Sequence, residues 1–266
     1  MKTLEKPKTT AKIVSNAEWE AAQKAFLVKE KEFTHQREAL SAQRRQLPWT
    51  KVEKDYVFDG PSGKVSLSEL FQGRRQLVVY HFMFDPAWEE GCPGCSHVAD
   101  NVDGAVVHLA ARDTSLVFVS RAPMDKITPF KWRMSWQVPW VSSFNNSFNY
   151  DYHVTLDEDR GSTQYNFESV KSLDERGKIH HTKGEMPGAS VFIREGDAIY
   201  RTYSVFGRGL DPMLNTYNFL DLTAMGRQED EGCAQKWVRH HDKYEHSPLA
   251  TPGASASCCS AEKAKK

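Results

Sequence analysis

The stretch QLVVYHFMF, Gln76–Phe84, is a continuous apolar run of strand length. Such a run is the signature of a central strand covered on both faces, so packing layers are needed above and below it. Directly after it comes EEGCPGCSHVADNVDGAVVHLAARD, which sets Cys92 and Cys95 two residues apart at the start of a helical pattern. In that pattern Val98, Val102, Ala105, Val106 and Leu109 recur at spacings of four and three, one buried face. TSLVFVSRA, Thr114–Ala122, predicts a second buried strand. Pro123 then opens a helix running to about Trp136, and VPWVSSF is a short extended piece. Strand, helix, strand, helix, strand in this order favours a parallel βαβ core.

The flanks are simpler. Residues 1–13 are polar and expected to fray. Ser15 with Glu18 three residues on forms a capping box, which predicts a helix from about Asn16 to Gln46, ending before Pro48. Its sparse apolar residues (Trp19, Ala22, Phe26, Phe33, Leu40) suit a surface helix docked by one narrow stripe; a partner-binding or dimerising arm is the sharper alternative. KDYVFDGPSGKVSLSELF predicts a β-hairpin around Gly60-Pro61-Ser62-Gly63. Residues 150–185 are polar and break the alternation, an insertion able to cover one face of the core. ASVFIREGDAIYRTYS is a second hairpin, and LDPMLNTYNFLDLTAMG a helix begun by Asp211-Pro212. The Pro-, Ala- and Ser-rich tail is expected to be disordered. The division is thus 1–48 as a helical arm, 49–245 as the main domain and 246–266 as tail.

With 35 basic and 35 acidic residues the net charge is zero, so no overall field draws the chain to nucleic acid or an anionic membrane. The N-terminus lacks the apolar core of a signal peptide, and no run approaches the ~18–20 apolar residues of a membrane span. The expected compartment is the reducing cytoplasm. There, five cysteines are a poor disulfide framework, and a close pair points to catalysis or metal binding.

Thiol–disulfide exchange needs a thiolate to attack one sulfur and a second thiol to release the mixed disulfide. A two-residue gap at a helix start serves both needs, because the leading Cys92 sits at the positive end of the helix dipole, which lowers a thiol pKa. Pro93 fits the first turn, where no N–H partner is required, and Gly94 lets a partner chain come close. Two alternatives stand beside this reading. A structural zinc site needs four ligands, and a second pair at suitable spacing is missing: Cys233 stands alone and Cys258-Cys259 lie in the tail. The pair would otherwise be two inert core cysteines. Asp85, Glu89 and Glu90 oppose thiolate formation by charge, unless they accept the Cys95 proton.

Other constellations carry less. Trp132, Trp136, Trp140, Phe144, Phe148, Tyr150 and Tyr152 crowd one region, as core packing or as a pocket wall. VFGRGLDP has no strand–helix context for a dinucleotide. His180-His181 and His240-His241 are expected in solvent, and Arg121 and Arg208 are candidates to hold an anionic substrate. A flexible coil from Tyr244 to Cys258 would cover roughly 20 Å, so Cys258-Cys259 are either dispensable sequence or a resolving or metal-delivering tail for Cys92.

The segments YHFMFDPAWEEGCPGCS…ADNVDGAVVHL, FVSRAP, MSWQVPWVSSFNNSFNYDY and PGASVFIREGDAIYRTYSVFGRG…YNFLDLTAMGRQED, in this order over roughly residues 15–245, resemble the bacterial DUF899 family. That resemblance implies an α/β thioredoxin-like fold with an N-terminal helical arm, an insertion and a C-terminal helical extension. It also implies a dithiol–disulfide oxidoreductase. On it, Cys92 attacks, Cys95 resolves, and Pro187, as a cis-proline opposite the pair, shapes the site. Met186, Pro93, Gly94 and Trp88 would then contact a disulfide-bearing protein or small molecule, with thioredoxin or glutathione as reductant and no bound cofactor or metal. The middle pair Pro-Gly and the preceding Gly91 depart from thioredoxin's Trp-Cys-Gly-Pro-Cys. The peroxidase signature is incomplete, since no Thr lies between Pro86 and Cys92. The alternatives are a peroxide or other small-molecule reductase on the same pair, and a non-catalytic protein binding soft metals or a partner.

Overall fold

The computed structural model describes residues 11–229 and 234–245. Expectations for the first residues, the tail, Cys233, Cys258 and Cys259 fall outside the described residues. In chain order the elements are α1 (Asn16–Arg44), β1 (Thr50–Lys51), β2 (Val57–Gly60), β3 (Gly63–Ser66), β4 (Gln76–His81), α2 (Pro93–Val102), α3 (Val106–Ala110), β5 (Thr114–Ser120), α4 (Met124–Arg133), β6 (Trp140–Ser142), α5 (Phe148–Asp151), β7 (Thr155–Leu156), β8 (Gln164–Tyr165), β9 (Glu168–Ser169), α6 (Val170–Glu175), β10 (Gly184–Glu185), β11 (Gly188–Glu195), β12 (Ala198–Phe206) and α7 (Asn215–Asp221).

The main sheet has the order β1-β12-β11-β4-β5-β6-β2-β3. Strands β4, β5 and β6 are parallel, with Val79 opposite Val117 and Val119 opposite Val141. The hairpin β11–β12 closes antiparallel on the other side of β4, Val191 facing Val78. A βαβ unit flanked by an antiparallel hairpin, helices packed on it, is the thioredoxin-like arrangement, and it places β4 inside the sheet as its apolar run requires.

Because side chains alternate along a strand, β4 serves two cores at once. Leu77 and Val79 join Val117, Val119, Phe148 and Phe192 on one face. Tyr80 and Phe82 join Phe118, Ile127, Phe130 and Trp140 on the other, under α2 and α4. The insertion is more than a cover. Tyr152, Val154, Leu156, Tyr165 and Leu173 complete the first core, and β7 pairs with β10 across the insertion. His81 lies in that core with Nε2 2.9 Å from Ser190 Oγ, and burial pushes its pKa down to about 3, so it stays neutral.

Three expectations need correction. The helix after Cys95 is broken: α2 passes through a 3-10 turn at Asp103–Ala105 before α3. At that turn Asp103 Oδ1 accepts from the Gln137 and Val138 N–H groups at 2.8 and 2.7 Å, tying the helix to the entry of β6. The helix foreseen over Asp211–Gly226 shrinks to a 3-10 stretch, Gly207–Met213, and the seven-residue α7. Pro212 and the non-helical Leu214 (φ −109°, ψ 76°) prevent one continuous helix. The docking expected of α1 does not occur. The capping box forms, with Ser15 N–H donating to Glu18 Oε2 at 3.0 Å and Glu18 N–H to Ser15 Oγ at 3.3 Å, yet no residue of α1 is buried. Trp19, Phe26 and Phe33 are 54%, 55% and 64% exposed. A stripe with one large apolar residue per two turns is too thin to outcompete solvent for the polar residues between.

Candidate active site

Beyond His81 the chain continues in line: Phe82 N–H donates to Val119 O, and Ala122 N–H to Phe84 O. Asp85 then turns it, its carboxylate accepting from Ala87 N–H at 2.8 Å. Cys92 returns beside the strand end, its N–H donating to Met83 O at 3.0 Å. Cys92 is the N-cap of α2, and Pro93 occupies the first helical position, where the missing N–H costs nothing.

The two sulfurs sit in unlike surroundings. Cys92 is partly exposed, and its pKa falls to about 7 because the Cys95 thiol and the N–H groups of Cys95 and Gly94 donate to its sulfur, outweighing burial. These are orphan donors of the first helical turn aimed at a thiolate. Cys95 is buried. Burial pushes its pKa well above the ordinary value, and the neighbouring Cys92 sulfur pushes the same way. The Met83 N–H, 3.4 Å from Cys95 Sγ, and the Tyr80 hydroxyl oppose that rise only in part. One backbone residue, Met83, thus holds Cys92 through its carbonyl and Cys95 through its N–H.

The position of Cys92 is set from behind by Gly91. A Cβ there would lie 2.6 Å from Phe82 Cε1 and 2.8 Å from Phe130 Cε1, so only glycine lets the backbone approach these rings. Gly91 O accepts from His240 Nε2 at 2.8 Å. Nδ1 of the same ring lies 3.1 Å from Arg133 Nη2, a group that can only donate, and 3.4 Å from Glu90 Oε2; the shorter arginine contact favours a neutral ring with its proton on Nε2. Burial lowers its pKa accordingly. The expectation of solvated histidines is therefore wrong for His240, which is buried, and for His241, whose Nδ1 lies 2.6 Å from Asp100 Oδ1. Those partners belong to distant segments, invisible in the local composition.

The carboxylates upstream of the pair are engaged elsewhere. Asp85 lies 3.9 Å from Arg121, and Glu89 is almost wholly exposed, 3.5 Å from Lys126. Glu90 binds Arg133 and, at 2.6 Å, Lys243. Arg121 holds Glu185 at 3.3 Å and stacks 4.9 Å over the Tyr150 ring, so it is not an uncommitted anion holder.

Cys92 and Cys95 open into a cleft of about 330 Å³. Its walls include Met83, Val98, Pro187, Leu210, Leu214 and Tyr217. Of the site residues read from the sequence, Cys92, Cys95, Gly94 and Pro187 come together here. Pro93 lies at the helix start outside the lining, Met186 is buried, and Trp88 is likewise outside the lining. The peptide bond before Pro187 is trans, contrary to expectation. The insertion has also taken the neighbouring backbone: Met186 N–H donates to Val154 O at 2.8 Å, and Pro187 O accepts from the Tyr165 hydroxyl at 2.8 Å. Arg208 and His181 reach the cleft, Arg208 paired with Asp211 at 2.8 Å.

Sequence reading missed Tyr80, Tyr217, Glu229 and Gln235. The signal for Tyr80 was available, since a tyrosine inside a strand buried on both faces must find a partner for its hydroxyl. Gln235 had none. The aromatic crowd is mainly core: Trp136, Trp140, Phe148, Tyr150 and Tyr152 are buried. Trp132, Trp136 and Trp140 also line a separate hollow of about 790 Å³ that contains no cysteine. Among the described residues no three His, Cys, Asp or Glu side chains converge as metal ligands, and no helix is long and apolar enough to cross a membrane.

No curated protein matches the sequence. Among solved structures the chain is similar to the peroxidoxin BcpB of Mycobacterium tuberculosis, at 15% identity over 64% of this chain and 95% of that one, with a TM-score of 0.42. It is similar to a putative thiol:disulfide interchange protein DsbE of Chlorobium tepidum, at 15% identity over 64% and 97%, TM-score 0.39. A third is a cysteine-to-serine mutant of PrxQ from Xylella fastidiosa, at 12% identity over 62% and 88%, TM-score 0.39. The sequence pattern of the DUF899 family, described as a bacterial protein of unknown function, spans residues 8–244, nearly all of the chain, and the protein belongs to that family.

Proposed function

We propose that this protein is a thiol–disulfide oxidoreductase with Cys92 as nucleophile and Cys95 as resolving thiol. The observation that carries the reading is two unlike sulfurs at one helix start facing one cleft: Cys92 partly exposed at the N-cap, where donated hydrogen bonds lower its pKa, and Cys95 buried, which raises its own. A thiol ionising near ambient pH is the best attacker, because a lower pKa weakens the nucleophile and a higher one leaves it protonated. The Cys92 thiolate attacks one sulfur of a disulfide, forming a mixed disulfide and expelling the other half as a thiolate. That attack consumes the charge that held Cys95 protonated. Cys95 then loses its proton, attacks Cys92 Sγ and expels the second half. The pair ends oxidised by two electrons and the substrate reduced by two; an external thiol returns them.

The test is the pH dependence of Cys92 alkylation in a Cys95→Ser variant and the wild type, with peptide mass mapping of oxidised protein. We expect a wild-type midpoint near 7 and a bridge between Cys92 and Cys95. A midpoint at the ordinary thiol value, together with no such bridge under any oxidant, would falsify the assignment.

A further inference from the structure

Resting on that reading, we infer that the substrate of Cys92 is a small, uncharged disulfide with an apolar body, and that folded protein disulfides are excluded. Three features of the cleft lead there. The first is its cover. Gln235 Oε1 stands 2.6 Å from where a Cβ on Gly94 would be, so this side chain sits directly over the middle of the cysteine motif. Leu210, Leu214 and Tyr217, from the segment after β12, wall the cysteine pair. Cys92 packs as a partly buried member of the second core instead of standing on an open surface.

The second is the lost edge. A peptide substrate pairs by offering main-chain hydrogen bonds to unpaired backbone. Here the Met186 N–H and the Pro187 carbonyl are already bonded to Val154 and Tyr165, both supplied by the insertion. The insertion thus takes up two main-chain groups beside the pair, and the C-terminal extension stands over the cysteine motif.

The third is charge. Arg208, the described cation of the lining, is paired to Asp211 through Nε at 3.1 Å and Nη2 at 2.8 Å. Glu229 is held by Tyr217 Oη at 2.6 Å, Trp237 Nε1 at 2.7 Å and Gln235 N at 2.8 Å. His181 is stacked on Tyr165 with its pKa lowered by burial. Arg208 and Glu229 thus each have partners of their own, and the apolar part of the lining includes Met83, Val98, Pro187, Leu210 and Leu214. A volume of about 330 Å³ is at the small end of ligand sites. The same walls require that the electrons return from a low-molecular-weight thiol: two molecules of monothiol reduce the Cys92–Cys95 bridge and leave as one disulfide.

The experiment mixes pre-reduced full-length protein with bis(2-hydroxyethyl) disulfide, glutathione disulfide or insulin and follows single-turnover loss of the Cys92 thiol. The uncharged small disulfide should react about 100-fold faster per bond than insulin, the scale on which misplacement of reacting atoms acts, with glutathione disulfide between them. In a Leu214→Trp variant, which fills the cleft, the rate with bis(2-hydroxyethyl) disulfide should fall at least about tenfold while the thiolate ultraviolet absorbance keeps its midpoint. Insulin reacting within about threefold of the small disulfide, or an unchanged rate in the filled variant, overturns the inference alone. If none of the three oxidises the protein and no Cys92–Cys95 bridge appears, the oxidoreductase reading falls instead.

Discussion

Helices α1 and α2 are opposites. The first has 29 residues and buries none; the second has ten and buries Cys95, Ser96, His97, Val98 and Ala99. An isolated helix of ten residues is unstable in water, so α2 exists because the sheet and the C-terminal segment hold it. α1 is long enough to stand on propensity and its capping box. The difference teaches where chemistry can be placed. Tuning a thiol needs fixed donors and partial exclusion of water, and only the helix held by its surroundings supplies both.

This contrast can be broken or sharpened by substitution. The largest effect should come from Cys92→Ser, lowering the rate of exchange with a small disulfide at least about a thousandfold, as loss of a covalent nucleophile does, with far-UV circular dichroism unchanged. Phe130→Ala removes a ring that packs on Phe82, Phe84 and Trp136 beneath α2. It should cost about 3–5 kcal/mol in urea unfolding.

Glu185 sharpens the comparison from the buried side. Burial pushes its carboxyl up to about 7, against partial relief from Arg121 and Thr155. The native state therefore keeps a proton that the unfolded chain loses at an ordinary carboxyl pKa. The contribution is present below about pH 4.5 and is lost as pH rises through about 7. Glu185→Gln has no proton to lose, so the wild-type-minus-variant stability should fall by on the order of 3 kcal/mol between about pH 4 and 8. A flat difference would show that Glu185 ionises freely in the fold.

Gly91→Ala drives a methyl into Phe82 and Phe130 and should destabilise by about 1–3 kcal/mol while raising the Cys92 midpoint. The smallest effect belongs to α1: Phe26→Ala, on a helix with no buried residue, should change the urea-unfolding free energy by under about 0.5 kcal/mol. A cost above about 2 kcal/mol there would erase the contrast.

What was legible in the sequence follows the same division. The start of α1, the runs of β4 and β5 and the β11–β12 hairpin are written in caps, turns and periodicity, and all form where read. The cysteine pair was legible as a motif at a helix start. Its surroundings were not: Tyr80 lay inside an apolar run, and the contacts of His240, Gln235 and Glu229 with the site depend on chain returning from far along the sequence. The trans bond before Pro187 was equally hidden, because the resemblance supplied a fold position but not the insertion that occupies its backbone partners. The absence of docking by α1 is a question of degree, a stripe whose apolar content falls short, and spacing alone does not set that threshold.

The hydrogen bond from His240 to Gly91 spans 149 residues of chain. At roughly 5–20 residues per second, a ribosome that has just made Gly91 needs about seven to thirty seconds more to deliver its partner. During biosynthesis the thiol pair therefore passes through a period without this support behind Gly91. The surroundings that position Cys92 are thus completed late, well after the two cysteines themselves have left the peptidyl-transferase centre.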